Sequence, residues 1–413
     1  MRTPARLFAL ASAAALLVAA CQNTPLPQRN LPFAPPPANL QAQNAQALGA
    51  NPIDDSDMSA GFRPQTADRL ESEVIAQQGG ERLFATRSLQ GLQPASTPGL
   101  SGRLLYTDRQ GQILPAAMAT ASLYQGGRKV ASALTNAQGH WQLPTPAAGA
   151  YQVRYTLENP RWVISNYSWQ GPEFQVQGDV QGLNVGETQL VPGSENGKAG
   201  WIHDVYLRSL ALFDREQVPL DWWRFQIRTI WPGQGDYYTN NTVHLTGAEQ
   251  WDVNGHEVGH AIYHQALNAR SQGGFHKIDE CYSPTLALSE GFASFFSAAI
   301  HLERNDPDAR FDQYLVPRRA PIRVENVPDD VCPGSRNEWR VASAFWDVYD
   351  THIDGQDRSR VGMAPIFAAL GRRDKPAARD MLDVYGLFKE AFPAEQHPLL
   401  ERAFVQNTME IQP

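Results

Sequence analysis

Short runs with the hydrophobic and polar composition of β-strands alternate with turns over residues 98–190. Glycine-containing turns, such as Gly126-Gly127, separate the runs. The runs cover residues 101–106, 119–124, 130–135, 140–143 and 151–157. Short strands at this regular spacing predict an all-β sandwich over residues 98–190.

The pattern becomes helical in residues 195–413, where apolar positions recur three or four residues apart. Two short strand-like runs, residues 223–231 and 241–245, interrupt it. Predicted helices cover residues 200–212, 251–267, 286–300, 338–349, 377–392 and 398–409. We therefore expect a multidomain protein, in which the β-sandwich is followed by a mostly helical α+β domain.

The amino-terminal segment has a different composition. Residues 1–20 carry two arginines and then fourteen consecutive small or apolar residues. That run is too short to span a bilayer but suits a signal peptide. Residues 21–65 are rich in Pro, Gln, Asn and Ala, which predicts a flexible tether. Residues 66–97 read as a helical or linker segment, with one predicted helix over residues 67–77.

Residues 18–21, Val-Ala-Ala-Cys, resemble the lipobox of bacterial lipoproteins. The resemblance implies cleavage before Cys21 and attachment of a lipid to it. The protein would then be anchored to a membrane of the bacterial cell envelope, facing outside the cytoplasm, in the periplasm or at the cell surface. An unlipidated signal peptide is the alternative.

The net charge and the cysteine content limit the partners and the compartment that the protein can have. The formal net charge is −8, and it becomes −10 without the two arginines of residues 1–20. Such an acidic balance argues against a nucleic-acid partner. Only Cys281 and Cys332 remain after Cys21. An oxidising compartment favours a disulfide between them, and two free buried thiols are the alternative.

One short motif gives the clearest indication of a chemical function. His256, Glu257 and His260 form the pattern H-E-x-x-H within the predicted helix 251–267. Residues four apart lie one helical turn from each other, so the two imidazoles share a face and can bind one Zn²⁺. Glu257 flanks that position, where it can accept a proton from water without being a ligand.

A catalytic zinc usually has three protein ligands and one open position. Glu290 is the candidate for the third ligand, because it is the only acidic residue in the strongly apolar helix 286–300. A lone buried carboxylate there would cost several kcal/mol unless it were paired or bound to metal. His264 lies a further turn from the metal, and His276 and Asp279 are weaker alternatives in a Gly-rich loop.

His256, Glu257, His260 and Glu290 together resemble the gluzincin metallopeptidases, a thermolysin-like group, over roughly residues 195–400. The resemblance implies a zincin-type catalytic domain with one catalytic Zn²⁺ that hydrolyses bonds in a peptide or protein substrate. Glu257 would be the general base. It also implies that strand 241–245 lies at a sheet edge and pairs with extended substrate.

The resemblance further implies a side chain that stabilises the transition state and residues that orient the ligands. The candidate donors are His352, Tyr349 and Tyr314. The candidates for orienting a ligand histidine are Ser294, Asp347 and Asp350. The Asp residues that follow residue 350 match no EF-hand spacing, so calcium is not predicted.

Residues 101–141 resemble the carboxypeptidase regulatory-like and transthyretin-like β-sandwiches. Such modules are often accessory domains of secreted enzymes. The main hypothesis is therefore an extracytoplasmic zinc endopeptidase with an accessory sandwich. The alternatives are a binding lipoprotein with an inactive peptidase-like domain, and a zinc amidase that acts on cell-wall material.

Overall fold

The computed structural model describes residues 99–166, 174–178, 184–274, 276–311, 319–355 and 357–411. The predicted signal peptide, tether, linker segment and lipidation site at Cys21 lie outside these residues, as does Tyr314. The described chain has a β-rich region over residues 99–244, interrupted by one helix, and then a mostly helical region. The predicted order of a β-rich part before a mostly helical part is thus confirmed.

Among the described residues, nine strands precede the first helix, and eight of them form two four-stranded sheets. The first sheet has the order β2-β1-β5, and β9 pairs in parallel with β1. The second has the order β4-β3-β6-β8 and is antiparallel throughout. The strands are β1 Gly99–Thr107, β2 Ile113–Pro115, β3 Thr120–Gln125, β4 Arg128–Leu134, β5 His140–Pro144, β6 Tyr151–Thr156, β7 Trp162–Ser165, β8 Phe174–Gly178 and β9 Asn184–Gln189.

The ninth strand, β7, joins a third sheet whose other members come later in the chain. These members are β10 Ile227–Ile230, β11 Tyr237–Thr239 and β12 Thr242–His244. The order is β11-β12-β10-β7, with β7 and β12 parallel to β10 and β11 antiparallel to β12. The expectation that residues 241–245 form the sheet edge is therefore wrong, because a tight turn folds β11 onto β12 and makes β11 the edge.

Seven α-helices are present among the described residues. They are α1 Glu195–Arg215, α2 Trp251–Ala266, α3 Pro284–His301, α4 Glu338–Tyr349, α5 Met363–Leu370, α6 Met381–Ala391 and α7 His397–Gln406. A two-residue strand pair, β13 Arg310–Phe311 and β14 Ile322–Arg323, lies between α3 and α4. In the part of the chain that is described, no helix has the length and apolar character needed to cross a membrane.

Polar side chains begin the helices that flank the site. Ser283 accepts a hydrogen bond from Leu286 N at the start of α3, and Asn337 accepts one from Arg340 N at the start of α4. Such caps satisfy backbone N–H groups that have no partner within the helix. The Asn337 amide also donates to Ile278 O, 2.7 Å away. It therefore connects α4 to the loop between α2 and α3.

Helices α2, α3 and α4 pack closely side by side because glycines face their neighbours. A Cβ at Gly259 of α2 would lie 2.9 Å from Ala293 Cα of α3. A Cβ at Gly291 of α3 would lie 2.7 Å from Glu338 O of α4. Both distances are too short for real Cβ contacts, so a larger residue would push the helices apart. This three-helix layer positions the polar residues described next.

Candidate metal centre

Helix α2 presents the two histidines of the H-E-x-x-H motif on one face. The ring centroids of His256 and His260 are 4.7 Å apart, as expected for side chains one helical turn from each other. Glu290 projects from the middle of α3 towards both rings. The close contact of α2 with α3 thus brings together residues that are far apart in sequence.

The three donor atoms form a nearly regular triangle. Nε2 of His256, Nε2 of His260 and Oε2 of Glu290 are 3.1 Å apart in every pair. Donors about 2.0–2.1 Å from a tetrahedral Zn²⁺ lie about 3.3 Å from one another, so the spacing fits this ion. The exposed fractions of the side chains are 8%, 12% and 7%. These buried His and Glu groups are positioned to hold a metal ion.

The electrostatics of the triangle favour cation binding. Burial lowers the pKa of His256 to about 4, so its imidazole is neutral near pH 7 and Nε2 can offer a lone pair. Burial opposes ionisation of Glu290, but the neighbouring His260 and His276 outweigh it and hold the pKa of this carboxyl well below its usual value. Two imidazoles and one carboxylate are a donor set that zinc prefers.

Glu257 is next to the triangle and is not one of its members. Its side chain is buried, and within the described part of the protein Oε2 has no hydrogen-bond partner. Burial raises the pKa of Glu257 to about 8. A nearby cation would favour the ionised form of this carboxyl. Glu257 is thus a carboxyl group with a free oxygen beside the candidate metal ligands, as a proton acceptor requires.

A second group of metal-binding residues adjoins the first. His276 Nε2 lies 3.0 Å from Glu338 Oε2 and 3.5 Å from Glu290 Oε2. Burial opposes the charged form of His276, but Glu338 and Glu290 outweigh it and raise the pKa of His276 to about 9. Burial raises the pKa of Glu338 to about 7. In the sequence, His276 is only a weaker candidate ligand, and no pattern indicates Glu338.

Of the residues expected to orient a ligand histidine, Ser294 lies beside one. Its Oγ is 3.1 Å from His256 Nδ1. Asp347 and Asp350 lie away from the triangle. They lie at the carboxyl-terminal end of α4, which faces other carboxyl groups. Asn407 Nδ2 donates to Asp347 Oδ2, and the His352 backbone N–H donates to Asp350 Oδ2. In the described chain neither aspartate has a hydrogen bond to a histidine of the triangle.

Two of the expected transition-state donors also have partners away from the triangle. The Tyr349 side chain is buried, its hydroxyl accepts a hydrogen bond from Arg215, and Arg304 lies over its ring. His352 Nε2 is 4.0 Å from Glu325 Oε1. Tyr314 lies outside the described residues. The geometry thus gives no support to Tyr349 or His352 as groups that reach the reacting atoms.

The edge strand β11 passes close to the triangle. The Tyr238 ring is 6.3 Å from the His260 ring, with an angle of 19° between their planes. The Tyr238 hydroxyl is 2.8 Å from His264 Nδ1. His264 is therefore a partner of Tyr238 and does not belong to the metal-binding groups. Nothing in the sequence indicates that Tyr238 lies close to His260, because it is a single aromatic residue in a short strand.

Cys281 and Cys332 form a disulfide, with their Cα atoms 5.4 Å apart. The predicted pairing is confirmed. Cys332 N also donates to Asp279 O. The bridge thus ties the loop between α2 and α3, which contains His276, to the segment that precedes α4.

No model of a known protein family matches this chain, and no curated protein matches it. One similar solved structure is the 5-hydroxyisourate hydrolase of Klebsiella pneumoniae, with 19% identity and a TM-score of 0.17 over 23% of this chain and 92% of the hydrolase. Another is a 9R-lipoxygenase from Cyanothece PCC8801, with 11% identity and a TM-score of 0.15 over 42% of this chain and 30% of the lipoxygenase. Both TM-scores are too low to show a shared fold.

Proposed function

We propose that the protein is a gluzincin-like zinc endopeptidase. The observation that carries this proposal is the triangle of His256 Nε2, His260 Nε2 and Glu290 Oε2, with edges of 3.1 Å, beside the unpartnered carboxyl oxygen of Glu257. A Zn²⁺ ion held by the triangle would polarise a carbonyl group and make water more acidic. With three protein donors, a tetrahedral ion would keep one position open for water or for the carbonyl oxygen.

Glu257 is the general base in this proposal. It accepts a proton from the attacking water and then delivers that proton to the amine nitrogen of the leaving peptide. The position of its Oε2 suits this role, because this buried oxygen has no hydrogen-bond partner among the described residues and can accept the proton of the water. The Ser294 hydroxyl orients the ring of His256 through Nδ1.

An extended peptide substrate would bind along β11. This strand has a sheet neighbour on one side only, β12, among the described residues. Tyr238 of β11 faces His260, so a chain paired with β11 would pass the metal-binding triangle. Addition of a strand to a sheet edge recognises the backbone of the substrate, and pockets for alternate side chains supply preference. This mode fits a peptide better than a cell-wall sugar.

The remaining parts of the chain complete the proposal. The sheets β2-β1-β5 with β9 and β4-β3-β6-β8 would be the two layers of an accessory β-sandwich. A lipid on Cys21 and the following tether would hold the enzyme at a membrane, outside the cytoplasm. A disulfide is consistent with that compartment, since cytosolic conditions keep most thiols reduced.

The test compares Glu257→Gln with Glu249→Gln, the same chemical change at an exposed glutamate that precedes α2. We expect Glu257→Gln to reduce casein hydrolysis by about 10²–10⁴-fold, because general acid–base catalysis contributes that much. Metal content, measured by mass spectrometry, remains that of the wild type, and Glu249→Gln keeps full activity. Equal rates for Glu257→Gln and wild type would refute the assignment. Hydrolysis of cell-wall fragments but not casein would identify an amidase.

A further inference from the structure

We propose that the protein binds a second divalent metal ion through His276, Glu338 and Glu290, next to the first. Glu290 would bridge the two ions, so this inference extends the metal centre of the proposed function and rests on it. Nε2 of His276 and one oxygen of each glutamate lie within 4.8 Å of one another. These donors come from three separate elements, the loop after α2, helix α3 and helix α4.

The glutamates are held in place before any ion binds. Glu290 and Glu338 are 5% and 6% exposed. Glu338 is the first residue of α4, and its backbone oxygen approaches Gly291 of α3, directly after Glu290. Since a Cβ at position 291 would lie 2.7 Å from that oxygen, the absence of a side chain there is what permits the approach. Two buried carboxylates on adjoining helices are costly unless a positive charge lies between them.

The orientation of His276 is that of a metal ligand. Its Nδ1 lies 2.9 Å from Gly274 O, so the Nδ1–H group donates to a backbone carbonyl. Nε2 faces Glu338 Oε2 at 3.0 Å and Glu290 Oε2 at 3.5 Å. Histidine ligands characteristically donate their other ring N–H to a carbonyl or carboxylate, which fixes the ring for coordination. The same ring also fits a simple ion pair with Glu338, and the experiment separates the two.

The donor set indicates the class of ion. One imidazole with two carboxylates suits a divalent transition metal such as Zn²⁺ or Mn²⁺. Paired ions in hydrolytic sites are about 3.5–4 Å apart and share ligands. A shared carboxylate between the two sets meets this requirement, because Glu290 Oε2 is 3.1 Å from His256 and His260 and 3.5 Å from His276. The second ion has one nitrogen donor where the first has two, so it binds more weakly.

The experiment measures metal stoichiometry. Purified protein is stripped with a chelator, titrated with Zn²⁺ or with Mn²⁺, and analysed by calorimetry and elemental mass spectrometry. We expect two ions per chain in the wild type, and one in His276→Ala and in Glu338→Gln at metal concentrations that saturate the wild type. The dissociation constant of the second ion should rise at least about 10–100-fold in these variants. Glu280→Gln, at an exposed glutamate of the same loop, should keep both ions.

The outcomes separate this inference from the proposed function. One ion in the wild type, lost in His256→Ala and kept in Glu338→Gln, leaves the first centre intact and overturns the second. No bound ion at all refutes both. Two ions that both persist in His276→Ala and Glu338→Gln would also overturn the inference, because the second ion would then lie elsewhere. Circular dichroism of each variant distinguishes loss of a ligand from loss of the fold.

Discussion

Buried carboxyl groups in this protein occupy two contrasting environments. Glu290 contacts two imidazoles and has a pKa well below its usual value. Asp350 is 1% exposed, lies near Glu325 and Asp357, and has one oxygen with no hydrogen-bond partner within the described chain. Burial and, after it, the charge of Glu325 raise the pKa of Asp350 to about 9. The first environment stabilises negative charge and the second opposes it.

We therefore expect Asp350→Asn to raise the melting temperature at pH 8 in the presence of a chelator. The pKa of Asp350 rises from 3.8 to about 9 on folding, so the folded state holds a proton that the unfolded state has lost between these values. Its contribution to stability is complete below pH 3.8 and is lost progressively as the pH rises from 3.8 through 9. The gain from Asp350→Asn should consequently shrink when the pH falls from about 8 to about 5.

Thermal unfolding by circular dichroism at both pH values checks this prediction. A gain of a few degrees is expected at pH 8, since 1 kcal/mol shifts the melting temperature of a large domain by about 2–4 °C. Asp374→Asn serves as the control, because Asp374 is exposed and Arg372 lowers its pKa. That control should give no gain. A lower melting temperature for Asp350→Asn at pH 8 would contradict the argument.

At the scale of single residues, the sequence alone identifies part of the candidate metal centre. The helical spacing of His256 and His260, and the lone acidic residue Glu290 in an apolar helix, are visible without a structure. Glu338 is not, because acidic residues are common in the first turn of helices, where they favour the helix dipole. His276 lies in a Gly-rich loop without periodicity, so its approach to Glu290 depends on the packing of three elements.

At the scale of elements, the contact between α2 and α3 controls the geometry of the triangle. Gly259→Ala should destabilise the protein by about 1–3 kcal/mol, because the added Cβ overpacks the interface. It would meet the backbone of Ala293 at 2.9 Å, which cannot yield without separating the helices. The His256 and His260 side chains would then move away from Glu290, and zinc affinity should fall with stability.

Gly386→Ala is the matched control within α6. A Cβ at that position has no atom within 4 Å, so the higher helix propensity of alanine should stabilise the protein by about 0.5–1 kcal/mol. Urea denaturation of both variants and zinc titration measure the two effects. The interpretation fails if Gly259→Ala is as stable as Gly386→Ala, since helix propensity would then outweigh packing at the interface.

The strands illustrate how element prediction succeeds and fails. The five strand-like runs over residues 101–157 correspond to β1, β3, β4, β5 and β6, because turn residues separate the runs in the sequence. Strand β11 is not predicted by periodicity, because it has three residues, too few for a periodic signal. A signal did exist in Asn240 and Asn241, which adopt positive φ angles of 46° and 56° in a two-residue turn. Asparagine tolerates positive φ angles and is therefore favoured in such two-residue turns.

At the scale of the whole molecule, the β-rich and helical regions share one hydrophobic core, and the third sheet joins strands that lie before and after α1 in the chain. Strand β7 pairs in parallel with β10, although α1 and many residues separate them in sequence. Trp162 of β7 stacks on Tyr206 of α1 with ring centroids 5.0 Å apart. Hydrophobic periodicity describes each run by itself and contains no information on which distant strand it joins. This connection therefore could not be read from the sequence.

The disulfide also affects the whole molecule, because it closes a long loop of the chain that contains α3. Cys281 and Cys332 are separated by 51 residues. Such a cross-link stabilises mainly by limiting the unfolded chain, and removing it should cost about 2–5 kcal/mol. The loop keeps other attachments, since Asn337 donates to both Ile278 O and Glu280 O. The double variant Cys281→Ser/Cys332→Ser should therefore fold, but unfold at a lower urea concentration than the oxidised wild type.

Equilibrium urea denaturation of both proteins, with and without a reducing agent, measures this cost. The reducing agent should bring the midpoint of the wild type close to that of the variant and leave the variant unchanged. Metal binding supplies a second readout, because the cross-linked loop contains His276 whereas His256 and His260 belong to α2. Loss of the bridge should weaken the second ion more than the first. Equal midpoints for the oxidised wild type and the variant would show that the helices alone hold this loop in place.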